Sequence, residues 1–94
     1  MDRAKIKNYL GIAQQGGYVI YGGETLEDYN KKLYLVLCDR NAGKTSLKLA
    51  ERLKDRYKVT FIEDLSTLVN KTNCKIIGIK NKNLSEIIER MLEE

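Results

Sequence analysis

The run "LYLVLC", Leu33 to Cys38, constrains this chain more than any other stretch. Six apolar or aromatic side chains in a row leave neither face of a strand polar. A strand buried on both faces needs a covering layer on each side of its sheet. Helices must therefore come from the segments around it, and the remaining periodicities supply them.

Asp2 can cap a helix over 3–15, where Ile6, Leu10 and Ala13 recur at spacings of four and three, and Gly16-Gly17 ends it. "YVIY" is a short β-rich run. Gly22-Gly23 then opens a second helix to about Asn30, with Glu24, Glu27 and Asp28 expected in its early turns, where the macrodipole favours acids. After "LYLVLC" comes a long helix, about Lys44 to Lys58, with Leu47, Ala50, Leu53 and Tyr57 along one stripe and Asn41 or Thr45 as its cap. "VTFI" reads as a third strand, followed by a short helix through Val69 that Asp64 or Ser66 can cap. "NKTN" is a polar loop and "CKIIGI" a fourth strand. Asn83 or Ser85 can cap a last helix built on Leu84, Ile87, Ile88 and Met91. The expected order is αβαβαβαβα, one domain over 1–94 with a four-stranded mixed sheet between helical layers. With no proline in the chain, glycines 16, 17, 22, 23 and 43 are left to shape the turns.

Ninety-four residues make a single core. No twenty-residue apolar run and no leader-like segment occurs, so a cytoplasmic protein is expected. There is no histidine, which removes the commonest general base. Cys38 and Cys74 stand apart, too few for a zinc site, and read as small buried residues at strand ends. Neither metal nor cofactor nor small-molecule substrate is expected.

"CDRNAGKTS" ends in the Gly-Lys-Thr that closes a phosphate-binding P-loop, but the glycine that should stand five residues before Gly43 is Cys38. A nucleotide site is a remote reading of this stretch; a strand-to-helix turn is the simpler one. Charge is more informative. Residues 31–58 hold nine basic and three acidic side chains, +6, while 1–30 and 59–94 are each −1. Lys44, Lys48, Arg52 and Arg56, four apart, line one helix face, as either a solvated stripe or a surface for a phosphate backbone. A polyanion is the expected partner.

The stretch "YLGIAQQGGYVIYGGET" is similar to a pattern found in short bacterial members of the ribosomal protein seven-Ae and thirty-e family, with Leu10, Gly11, Ala13, Gly17 and Gly22 in the matching places. "LYLVLCDRNAGKTSLKL" likewise resembles that family's buried strand, polar turn and lysine-bearing helix, and nearly the whole chain follows its order of elements. The resemblance implies a three-layer α/β/α sandwich that binds structured RNA, often a kink-turn. It places one contact surface at Gly22, Gly23, Glu24, Thr25 and Asp28, and a second at Asn70, Lys71, Thr72 and Asn73. Lys44 and Lys48 would supplement them with phosphate contacts. Kink-turn binders carry a lysine where this chain has Asp28, and many members carry glycine where it has Val69. Tyr18 and Tyr21, beside the glycines, are the aromatic candidates for base stacking. The expectation is a non-enzymatic, ribosome-associated RNA-binding protein. The rival is a protein-interaction module that keeps the fold without kink-turn recognition.

Overall fold

A computed structural model describes residues 2–93. The elements are α1 (Arg3–Gln15), β1 (Val19–Tyr21), α2 (Gly23–Asp28), β2 (Leu35–Asp39), α3 (Lys44–Leu53), β3 (Val59–Ile62), α4 (Leu65–Val69), β4 (Ile76–Ile79) and α5 (Lys82–Glu93). The order matches the one read from the sequence. The sheet runs β1-β4-β2-β3, with β3 parallel to β2 and β4 antiparallel to both β1 and β2.

All of β2 is buried, and its alternation sorts side chains into two cores. Leu35 and Leu37 meet Ile6 and Leu10 of α1, Leu65 and Leu68 of α4, and Ile88 of α5. Val36 and Cys38 face the other way, toward Leu26 of α2 and Leu49, Ala50 and Leu53 of α3. The result is the three-layer α/β/α sandwich, with α1, α4 and α5 on one face and α2 and α3 on the other. Each fully buried leucine or isoleucine contributes about 1.5–3 kcal/mol relative to exposure.

Several element ends differ from the sequence reading, each for a tertiary reason. Leu33 is buried but precedes the strand, and pairing of β2 with β4 starts at Leu35. Helix α3 stops at Leu53, short of Lys58. Tyr57 turns back so that its hydroxyl reaches the Tyr29 carbonyl at 3.2 Å. Helix α2 ends at Asp28, so Glu27 and Asp28 lie in its last turn, where the macrodipole opposes acids. Basic side chains from α3 offset this. Arg52 pairs with Glu27 at 3.3 Å, and Arg56 donates to the carbonyls of Glu27 at 3.4 Å and Tyr29 at 2.7 Å.

Capping shows the same pattern. Asp2 caps α1 as expected, accepting from the Lys5 amide at 3.1 Å. The start of α3 is Gly43 with no side-chain cap, so neither Asn41 nor Thr45 serves. Asp64 precedes α4 in a left-handed conformation and does not cap it, nor does Ser66, whose hydroxyl donates instead to the Cys74 carbonyl at 3.1 Å. The first amide of α4, that of Leu65, reaches the Asp39 carboxylate of β2 at 3.0 Å. For α5 the cap is Asn81, which accepts from the Leu84 amide at 2.9 Å, in place of Asn83 or Ser85.

Candidate functional site

Strand polarity decides which loops meet. Because β4 is antiparallel to both β1 and β2, and β3 is parallel to β2, strands β1, β2 and β3 all run one way. Their carboxyl ends and the amino end of β4 therefore share one edge of the sheet, the place where open α/β sheets carry ligands. Gly22-Gly23, the turn from Asp39 to Lys44 and the loop from Asn70 to Asn73 all lie there.

Gly22 has φ +90°, a conformation only glycine holds without strain, and its amide extends the ladder to the Ile76 carbonyl at 3.2 Å. Gly23 opens α2 so close to α3 that a β-carbon there would run into Leu49 Cδ2. Both glycines thus answer local needs of the backbone. They also form one wall of a concavity of about 330 Å3. Lys71, Thr72, Asn73 and Lys75 line it too, as do Tyr21 and Ser46.

The loop wall is held in a set conformation. Asn70 and Asn73 adopt φ of 49° and 59°, a region that asparagine tolerates better than most residues. The Lys71 amide donates to the Ser66 carbonyl at 3.1 Å, and the Ser66 hydroxyl ties the far end of the loop through Cys74. Lys71 lays its ammonium over the Tyr21 ring, 4.1 Å from the centroid. The Tyr21 hydroxyl accepts from Gln14 Nε2 at 2.8 Å, and the same nitrogen donates to the Val69 carbonyl at 2.8 Å. Helices α1 and α4, strand β1 and the loop are thereby joined around one aromatic ring.

Of the residues expected at the site, the concavity brings together Gly22, Gly23, Lys71, Thr72 and Asn73. Asn70 lies in an adjoining groove that shares the same loop. Glu24, Thr25 and Asp28 line neither; all three are exposed. Lys44 and Lys48 project from the face of α3 opposite Leu49, Ala50 and Leu53, so they flank the site without lining it. The basic stripe is consequently split, with Arg52 and Arg56 bound to the end of α2 and Lys44 and Lys48 without an ion pair among the described residues. Ser46 and Lys75 were missed in the sequence, since neither belongs to a motif. The direction of β4 would have indicated Lys75 had it been known.

Most amides of the turn "DRNAG" are already engaged within the fold. The Asp39 amide donates to the Lys75 carbonyl at 2.8 Å, Arg40 to Ile62 at 2.9 Å, and Ala42 to Asp39 at 3.1 Å. The Asn41 amide donates to Asp39 Oδ1 at 2.8 Å. These four amides are therefore turned inward, away from any bound anion. Cys38, at the position of the P-loop glycine, is buried in β2. Burial first, and then the neighbouring Asp39 carboxylate, push its thiol up to about 11. Burial also raises the thiol of Cys74, which lines the concavity, so neither sulfur is an activated nucleophile.

No protein-family model matches this chain, and neither does any curated protein. Among solved structures it is similar to that of a protein with unknown function from Bacillus halodurans C, at 22% identity and a TM-score of 0.81. The likeness covers 97% of this chain and 99% of that one. At this identity it shows a shared fold. Among the described residues no helix is long and apolar enough to cross a membrane.

Proposed function

We propose that this chain is a non-enzymatic, cytoplasmic, ribosome-associated RNA-binding protein of the kind that ribosomal proteins seven-Ae and thirty-e typify. The observation that carries the reading is the concavity lined by Gly22 and Gly23 of the first expected surface and by Lys71, Thr72 and Asn73 of the second. Its chemistry suits a nucleic acid. Exposed backbone at Gly22 admits close approach, Lys71 and Lys75 supply positive charge, and Thr72, Asn73 and Ser46 offer hydrogen bonds to base or sugar edges. Lys44 and Lys48 add charge beside the site and contribute to phosphate contact at longer range.

A titration with kink-turn RNA, followed through backbone amide resonances, tests the reading. Shifts centred on Gly22, Gly23, Thr72 and Asn73 are expected. Shifts confined to the outer face of α1 or α5, or none at low salt, would contradict it.

The exposed pair Glu24 and Asp28 favours a second reading. Neither makes an ion pair among the described residues, and Asp28 stands where a phosphate-contacting lysine is usual. On this reading α2 repels RNA and the fold serves a protein partner instead.

A further inference from the structure

The opposite margin of the sheet is open. Among the described residues strand β3 pairs with β2 alone, and the parallel register fixes which of its backbone groups are used. The Lys58 and Ile62 carbonyls accept from the Val36 and Arg40 amides, at 2.8 and 2.9 Å, so Lys58, Thr60 and Ile62 face inward. By the alternation of a parallel ladder, the N–H and C=O groups of Val59, Phe61 and Glu63 point outward. Neither the Phe61 nor the Glu63 amide has a backbone partner outside the sheet ladders among the described residues.

A groove of about 320 Å3 follows the same residues, from Thr60 to Glu63. Leu92 gives it an apolar wall, and among the described residues its charged lining is Arg3, Arg40 and Glu63, two guanidinium groups to one carboxylate. Arg3 is held in place by donating to the Asp64 carbonyl at 3.1 Å, and neither arginine pairs with a carboxylate among the described residues. Natural sheets usually protect such a margin with charge or a covering element. Here Lys54 covers the Phe61 ring from the α3 side, 5.2 Å from its centroid, while the groove side stays open.

We infer that the β3 edge is a docking site for an extended peptide segment bearing acidic side chains. Such a peptide would continue the sheet as a fifth strand. Its backbone would bond with the outward groups of Phe61 and Glu63, one apolar side chain would lie against Leu92, and a carboxylate would meet Arg3 and Arg40. The excess of positive charge selects an acidic segment over a basic one. The groove shares no lining residue with the Gly22–Lys75 concavity, so this inference does not rest on RNA binding.

The test uses the full chain and an acetylated, amidated six-residue peptide of alternating valine and glutamate, at concentrations up to about millimolar, as suits a weak edge contact. Backbone amide resonances and their hydrogen exchange are recorded with the peptide, with a lysine-for-glutamate version, and with a version carrying proline at its centre. The acidic peptide is expected to shift and protect Phe61 and Glu63, with the other two much weaker. Arg3→Gln with Arg40→Gln should weaken binding about tenfold, consistent with losing two partly solvated ion pairs. Equal effects of the lysine peptide, or no protection of Phe61 and Glu63, would overturn the inference. So would protection that grows with protein concentration alone, which would assign the edge to a second copy, or shifts at Phe61 and Glu63 produced by RNA.

Discussion

The Asp39 carboxylate at the end of β2 caps α4 from across the fold, its Oδ2 accepting from the Leu65 amide at 3.0 Å while Oδ1 holds the Asn41 amide at 2.8 Å. Asp39 is 3% exposed. A charged acceptor in that setting makes stronger hydrogen bonds than a neutral one, and removing it leaves two amides short of a partner. Asp39→Ala is expected to destabilise the fold by about 2–4 kcal/mol, read as a lower urea midpoint. A change below about 1 kcal/mol, the size of a single ordinary hydrogen bond, would show that the capping contact carries little.

At α5 the capping residue is Asn81, not the nearer serine or asparagine. Asn81→Ala should cost about 1 kcal/mol, typical of a lost N-cap. Asn83→Ala, an exposed position inside the first turn, should leave the midpoint nearly unchanged. Parallel urea titrations of the two variants separate the assignments, and a larger loss for Asn83→Ala would reverse them.

Arg56 and Lys44 share a helix stripe by sequence but differ in role. Arg56→Ala removes donors from two carbonyls at the end of α2 and should lower stability by about 1 kcal/mol, leaving the salt slope of RNA binding intact. Lys44→Glu with Lys48→Glu should do the converse, sparing the fold while weakening RNA binding and flattening its dependence on salt. Binding isotherms at two salt concentrations, beside thermal melts, distinguish these outcomes.

The two buried thiols set an alkaline limit. An unfolded cysteine titrates near 8.5, whereas burial and Asp39 hold Cys38 up at about 11. Between those values the unfolded chain has lost a proton that the folded chain keeps. Stability therefore falls as pH rises through this window and is undiminished below it. Lys58 acts only at the alkaline end, above the unfolded lysine value. Its hydrogen bond and attraction to Glu89 raise its pKa, so its contribution is present below the unfolded lysine value and lost as pH climbs through the folded one. Urea midpoints from about pH 7 to pH 10, a span that brackets the unfolded cysteine value, should drop in the parent protein and drop less in Cys38→Ala, whatever the variant's starting stability. Identical slopes would remove Cys38 from the effect.

Local pattern carried the architecture well. The continuous apolar run at Leu33–Cys38 and the spacing of Ile6, Leu10 and Ala13 are signals of burial, and burial is what organises the layers. The cap of α4 is hidden from local pattern because its partner lies far along the chain, and that of α5 because the helix starts ahead of both Asn83 and Ser85. Asp39 is distant in sequence, and Asn81 precedes two equally plausible residues. At the candidate site, Gly22, Gly23 and the Asn70–Asn73 loop could be named from the chain. Their meeting depends on β4 running against β1, which no local pattern encodes. The split of the basic stripe was hidden for the same reason, since Arg52 and Arg56 find their partners on α2 only once the two helices pack together.

RNA binding at the Gly22–Lys75 concavity is the proposal on which the functional reading depends. The most direct test compares a kink-turn RNA, its G·A-deleted form and a plain duplex against the parent protein and Lys71→Glu, at matched magnesium and two salt concentrations. Preference for the intact kink-turn is expected, lost or strongly weakened in Lys71→Glu. Absence of binding at low salt, or affinity that Lys71→Glu leaves unchanged, would contradict it.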